Sequence, residues 1–264
     1  MGIYASSSGV SNRLEEQKRR ARFATVSSRF PGLSPETEMP NKMAEVEKSS
    51  SSAEGLDSGS DRKLLRRLLS ERNQFPGRHA EIDQQLRDAF ERKVAILALD
   101  MSGFSRLTVR YGIIHYLAMI HQMEEAARPA VAGNGGKVIK QEADNLYAIF
   151  EDPARALDSA LDIFRAFDAI NSVVPPERDI FGSIGIGFGE ILVIDNKDIF
   201  GSEVNIACKL GEDLARKSEI LLTSSAYNAL PSGHYICVPV TFEISEMKIE
   251  CYRYERSVFP RETV

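Results

Sequence analysis

The sequence predicts an α+β sandwich of ferredoxin-like type, with β-α-β-β-α-β order and a further α/β extension, from about Lys93 to the C-terminus. Three observations predict it. Short apolar runs alternate with segments of helical period across this region. The composition, 43% apolar and 27% charged over 264 residues, supports one medium domain with a core plus extensions. The first 60 residues are poor in the large apolar groups that a core needs.

Residues 1–60 therefore read as a disordered N-terminal region. The stretch from Ser49 to Ser60 is half serine and cannot bury enough surface to offset its ordering entropy. Ahead of it lies the basic cluster Lys18-Arg19-Arg20-Ala21-Arg22. Such a cluster suits anionic lipid, although a solvated basic tail is the commoner explanation. Met1-Gly2-Ile3-Tyr4-Ala5-Ser6 fits the pattern for N-myristoylation at Gly2, with the cluster as the second signal that stable anchoring needs. The expected place is the cytoplasm, with peripheral membrane contact through the N-terminus.

Residues 61–92 read as a helical linker. Leu64, Leu65, Leu68 and Leu69 share one face up to Pro76-Gly77, and Ile82, Leu86, Ala89 and Phe90 then repeat the spacing. Two helices packing on the domain, or a dimerising stalk, both suit this pattern.

The domain itself is expected over residues 93–258. A strand over Val94–Leu99 ends at Asp100, and helical stretches fill Phe104–Ala132. Strands near Lys137–Lys140 and Leu146–Phe150 form a hairpin, and a helix covers Ala154–Ile170. Strands return at Ile180–Phe188 and Ile191–Ile194. A helix Glu203–Arg216 leads to a strand Ile220–Thr223, with a last strand pair inside Tyr235–Tyr254.

Charge narrows the function classes. The net charge is −5, and residues 93–264 carry seventeen basic side chains against twenty-four acidic ones. An acidic domain argues against nucleic acid as the partner, because phosphate binding leaves a broad basic footprint. Cys208, Cys237 and Cys251 lie in or beside apolar segments without a CxxC spacing, and read as buried reduced thiols. No apolar run approaches the ~18 residues of a membrane span.

Three segments carry candidate chemistry. In Leu97-Ala98-Leu99-Asp100-Met101-Ser102-Gly103-Phe104-Ser105, an apolar strand ends in a carboxylate and a glycine turn opens a helix. That order presents Asp100 at a sheet rim, with the N–H groups around Gly103, Phe104 and Ser105 able to face a phosphate; alone, such an Asp is more often a helix cap. In Lys140-Gln141-Glu142-Ala143-Asp144-Asn145, Asp144 occupies the turn of the hairpin. If the hairpin strands flank the first strand, two carboxylates at one rim suit two Mg²⁺ ions, which take hard oxygen ligands and share substrate phosphates; alone, this hairpin reads as carrying a solvated turn Asp. In Asp198-Ile199-Phe200-Gly201-Ser202-Glu203-Val204-Asn205-Ile206-Ala207-Cys208-Lys209, Asn205 and Lys209 share one helix face. A neutral donor stacked on a cation can stabilise charge developing on a phosphoryl group; by default such a pair is the wet side of an amphipathic helix.

In their order and spacing these segments resemble the class III adenylyl/guanylyl cyclase catalytic domain, over nearly all of residues 93–254. The resemblance implies Asp100 and Asp144 as metal ligands for two Mg²⁺ or Mn²⁺ ions. It implies Lys140 and Asp198 on the adenine ring, Asn205 on the ribose, and Lys209 in place of the transition-state arginine. It further implies a head-to-tail homodimer with two shared sites, which converts ATP to cyclic AMP and pyrophosphate. The sequence departs from that pattern at Ala143, where the family has glycine, and at Lys209. The connection between Glu190 and Asp198 is short, and Lys248 is the nearest candidate for the lysine that grips the triphosphate. These departures leave a competing expectation: a cyclase-fold dimer of weak or no turnover that acts as a nucleotide-binding or regulatory module.

Overall fold

Every side chain from Ala95 to Leu99 is at most 1% exposed, which explains why the first strand reads as an unbroken apolar run rather than an alternating one. The computed structural model describes residues 59–244 and 247–257. Strand β1 (Glu91–Met101) lies between β3 (Asn145–Phe150) and β4 (Gly182–Ile194), antiparallel to both. The mixed sheet runs β2-β3-β1-β4-β6-β8-β7, with β2 (Lys137–Glu142), β6 (Ile220–Thr223), β7 (Tyr235–Ile244) and β8 (Met247–Ser257). A short strand β5 (Asp198–Phe200) pairs with the end of β4.

Alternate residues of β1 serve opposite faces. Ala95, Leu97, Leu99 and Met101 pack with Tyr116, Met119 and Met123 of helix α4 (Ile113–Gly133) and with Leu157, Ile163 and Phe167 of α5 (Pro153–Asn171). Ile96 and Ala98 join Val204 and Ala207 of α6 (Ser202–Lys209) on the other face. The expected α+β architecture is present.

The linker helices are α1 (Ser60–Gln74) and α2 (His79–Phe90). Leu68, Ile82, Leu86 and Phe90 are buried together with Ile194, so both helices pack against the end of β4. The basic cluster and the lipidation pattern lie outside the described residues. Among the described residues no helix is long and apolar enough to cross a membrane.

The helical stretches expected over Phe104–Ala132 are two helices, α3 (Phe104–Tyr111) and α4, divided where Gly112 takes φ +86°. Three local expectations are corrected. The two strands expected over Ile180–Ile194 are one, since Gly189 and Glu190 stay in register opposite Val94 and Lys93. Residues 185, 187 and 189 are glycines on one face of β4, and that face receives α6. A Cβ at Gly185 would meet the Ala207 carbonyl oxygen at 2.0 Å, and one at Gly187 the Glu203 carbonyl at 2.9 Å. The helix expected to reach Arg216 ends at Lys209 in a π-turn, Leu210–Leu214. There a Cβ on Gly211 would come within 2.7 Å of the Ala98 carbonyl, so the chain is pressed onto β1. The short helix α7 (Ser224–Asn228) was absent from the expectation; the Thr223 hydroxyl caps it by accepting from the Ala226 N–H.

Candidate active site

Asp100 and Asp144 meet because β1 and β3 are antiparallel neighbours, with Asp100 directly opposite Asn145. The hairpin between β2 and β3 pairs Glu142 with Asn145, which leaves Ala143 and Asp144 as its two-residue turn. The Met101 N–H donates to the Asp144 carbonyl (3.2 Å) and fastens that turn to β1. Ala143 adopts φ +52°, the left-handed conformation that glycine takes without strain. Ala143 stands where the pattern that the sequence resembles has glycine, and it takes a backbone conformation that suits glycine.

Burial, and then the charge of Asp144, push the Asp100 carboxyl up to about 7, with smaller additions from Glu212 and Asp213. A cation between the two carboxylates would relieve both causes. The donors are hard oxygens, as Mg²⁺ requires. Among the described residues no group of three or more His, Cys, Asp or Glu side chains is arranged to hold a metal. An ion at this rim would therefore take its remaining ligands from water, backbone and substrate phosphates, a common arrangement for Mg²⁺. With those provisos the residues fit the two-ion expectation. Directly after Asp100, Gly103 sits at φ +103° and opens α3; the Leu107 N–H closes the first turn onto its carbonyl (3.0 Å). Gly103 has no side chain to cap the helix, so the backbone N–H groups around Phe104 and Ser105 begin a helix uncapped by that residue.

Lys140 and Asp198, 58 positions apart in sequence, also come together. The Lys140 Nζ lies 3.8 Å from Asp198 Oδ1, donates to Glu142 Oε1 (2.9 Å) and sits 5.2 Å from the Tyr147 ring centre. Strand β5 places Asp198 opposite Ile194 at the sheet edge. Helix α6 presents Asn205 to solvent while Val204 and Ala207 are buried beneath it. The Lys209 ammonium lies 3.5 Å from Asp213 Oδ2, one turn further on. Among the described residues no hydrogen bond or ion pair joins the Asp100–Asp144 pair to the Lys140–Asp198 pair. Lys248 donates to Glu250 Oε1 (2.9 Å), both side chains exposed near the start of β8.

No family model matches the chain. Over 119 residues it is 32% identical to a Rhizobium meliloti (strain 1021) protein named "Putative adenylate cyclase 3", covering 45% of this chain and 20% of that protein. It is 27% identical over 135 residues to an adenylate cyclase of Streptomyces coelicolor, covering 51% of this chain and 33% of that protein. The structure of an adenylate/guanylate cyclase/hydrolase from Silicibacter pomeroyi is 28% identical with a TM-score of 0.51, covering 62% of this chain and 96% of that one. In sequence and in fold the chain is thus similar to class III adenylyl/guanylyl cyclase catalytic domains. The guanylyl cyclase Cya2 shares the fold at 16% identity, with a TM-score of 0.58 and coverage of 65% and 96%. The chain spans a third or less of the length of the curated relatives it matches.

Three polar residues of the domain escape the cyclase-like sequence pattern. The Tyr116 hydroxyl donates to Asp144 Oδ2 (2.8 Å); its ring is wholly buried, and burial followed by this bond holds its ionisation far above the usual range. In sequence it is one more member of an apolar helical stripe with Met119 and Met123. Glu203, in the first turn of α6, accepts from the Phe188 N–H (3.2 Å), the Thr223 hydroxyl (2.9 Å) and the Ser225 hydroxyl (3.2 Å). It staples α6 to β4 and β6, although in sequence it reads only as an acid suited to a helix N-terminus. Glu212 accepts from the Tyr147 hydroxyl (2.8 Å) and anchors the π-turn to β3. A surface groove of about 450 Å³ lies between α2 and β4–β5, lined by Asp83, Arg87, Glu190 and Phe200 among others. It holds none of the candidate site residues.

The thiols of Cys208, Cys237 and Cys251 are free, and burial pushes all three up to about 11. Cys251 is buried as expected, whereas Cys208 and Cys237 are half-buried.

Proposed function

We propose that the domain over residues 93–258 converts ATP to 3′,5′-cyclic AMP and pyrophosphate, as a homodimer whose two sites draw residues from both chains. The observation that carries this reading is the pair of carboxylates at the rim, Asp100 and Asp144, with Asp144 fixed by Tyr116 and Asp100 pushed up to about 7. A scaffold without metal has no use for two mutually repelling carboxylates at a sheet edge.

In this reading Asp100 and Asp144 hold two Mg²⁺ or Mn²⁺ ions, which when bound neutralise charge on the phosphates and activate the attacking oxygen. The backbone at Gly103, Phe104 and Ser105 faces the phosphates from an open helix end. Lys140 donates to adenine N1 and Asp198 accepts from the 6-amino group, so a base lacking that donor leaves a polar group unpaired. Asn205 orients the ribose, and Lys209 meets charge developing on the α-phosphoryl group. The bond from O3′ to the α-phosphorus forms as the bond from that phosphorus to the pyrophosphate oxygen breaks. That no hydrogen bond or ion pair among the described residues joins the carboxylate rim to the Lys140–Asp198 pair supports a site completed by a second copy. So do the large apolar side chains exposed at Val109, Ile113, Ile114 and Leu117, just beyond Gly103.

The Lys209–Asp213 ion pair favours the competing reading, a nucleotide-binding dimer of low turnover, because it engages the cation meant for the transition state. One experiment separates the two. Purified protein is incubated with each nucleoside triphosphate and Mg²⁺ or Mn²⁺, and cyclic products are identified by mass spectrometry, beside a folded Asp144→Ala variant. Cyclic AMP from the wild type alone supports catalysis. Equal product from both proteins, or none from either, refutes it.

A further inference from the structure

Asp198 is fixed by more than the cyclase pattern. It stands on a three-residue edge strand, directly after a turn in which Asp195 and Asn196 both take left-handed backbone conformations near φ +51°. Such a short edge does little to fix a side chain that remains 25% exposed. The restraint comes from α1. The Arg62 guanidinium donates through Nη2 to Asp198 Oδ2, while Lys140 faces the other oxygen, Oδ1, at 3.8 Å. The preceding residue, Asp61, accepts from the Asp195 N–H (3.3 Å). Leu64, Leu65 and Leu68 then seat the helix against Leu192 and Ile194 of β4. Helix, turn and carboxylate are thus linked at consecutive points.

We propose that Arg62 is a positioning residue that sets the base preference of the site by fixing how Asp198 presents its oxygens. The proposal rests on the reading of Lys140 and Asp198 as the base contacts. At neutral pH an ionised carboxylate only accepts hydrogen bonds. With Oδ2 held by the guanidinium, Oδ1 is turned towards the Lys140 side. There it can accept from the exocyclic amine of adenine and oppose the carbonyl that guanine carries at that position. Released from Arg62, the carboxylate can rotate and close further on Lys140, and its discrimination between an amine and a carbonyl weakens. The guanidinium is about half exposed. An ion pair of that exposure is worth a change of about two- to five-fold.

The test uses 3′-deoxy-ATP and 3′-deoxy-GTP, which lack the attacking hydroxyl and cannot cyclise. Each is titrated by calorimetry with Mg²⁺ into the wild type, Arg62→Ala, Arg62→Lys, Asp198→Ala and the Arg62→Ala/Asp198→Ala double variant. The expected result is about two- to five-fold weaker 3′-deoxy-ATP binding in Arg62→Ala, unchanged or tighter 3′-deoxy-GTP binding, and partial recovery in Arg62→Lys, whose point charge replaces a fork. In the Asp198→Ala background the Arg62 substitution should add nothing. Equal loss for both nucleotides makes Arg62 a merely structural contact and overturns the proposal, as does no loss for either. If Asp198→Ala binds like the wild type, or the wild type binds neither nucleotide, the base-contact reading itself fails and the proposal falls with it.

Discussion

Asp100→Asn tests the carboxylate rim without requiring turnover. The substitution keeps the shape of the side chain and removes the charge that burial and Asp144 disfavour. Asp100 is pushed from an ordinary value of 3.8 to about 7, so the folded state binds its proton more tightly than the unfolded chain does. The stability contribution of this raised carboxyl is complete below about pH 4 and is lost as pH rises to about 7, above which the full penalty applies. A shift of that size corresponds to about 4 kcal/mol at the limit, and solvent screening of a partly exposed group reduces it to about 1–2 kcal/mol. Asp100→Asn should therefore be the more stable protein at pH 8 without metal. At about 2–4 °C per kcal/mol for a domain of this size, its melting temperature should rise by about 2–8 °C. By pH 5 the advantage should shrink to about a third, because little more than one of the three pH units of the window has then been crossed. Added Mg²⁺ or Mn²⁺ should raise the melting temperature of the wild type and leave the variant nearly unmoved. Thermal denaturation followed by circular dichroism at pH 5 and 8, with and without metal, reads all of this. A variant no more stable than the wild type at pH 8, with the same response to metal, would refute the rim as a strained ion site.

Ala143→Gly should stabilise the protein by about 0.5–1 kcal/mol in urea denaturation, since glycine takes the left-handed conformation at lower cost; a loss of stability would mean that the turn is not strained. Gly185→Ala should cost about 3 kcal/mol or more, because its new Cβ meets the Ala207 carbonyl, and normal solubility and melting would contradict the flush packing of α6 on β4. Lys209→Arg should preserve or raise cyclase activity and Lys209→Ala should lower it by about 10²–10³, whereas an alanine variant as active as the wild type would place Lys209 outside the reaction. Co-expressing an Asp100→Ala/Asp144→Ala chain with an Asn205→Ala/Lys209→Ala chain should restore about a quarter of wild-type activity if sites are shared and independent, and inactive mixed dimers of tagged chains would exclude the shared site.

The parts legible in the sequence are those governed by local pattern. Strand β1 was readable because a strand buried on both faces must be apolar throughout. The Asp100 and Gly103 turn was readable because a strand, a carboxylate, a glycine and a helix follow within a few residues. Where the reading slipped, long-range packing overrode local signal. Gly189 and Glu190 carry the marks of a turn, yet they remain in β4 because α6 needs a flat glycine surface to lie on. The residues after Lys209 have helical period, yet they form a π-turn because Gly211 is pressed against the Ala98 carbonyl.

Polar contacts between distant elements leave the least trace in sequence, and they are what holds this site. Tyr116 reaches Asp144 across 28 residues, Tyr147 reaches Glu212 across 65, and Arg62 reaches Asp198 across 136. In each case one partner has a bland local identity: a stripe residue, a strand aromatic, a charged residue at a helix start. The cyclase pattern names Asp144 and Asp198 but is silent on what fixes their rotamers, and the energy of a hydrogen-bonded carboxylate depends on both oxygens being satisfied. On the proposed function, two chains with the same pattern residues but different partners for these oxygens would therefore differ in metal affinity and base preference. Comparison of such chains has to begin from Tyr116 and Arg62 as much as from the aspartates they hold.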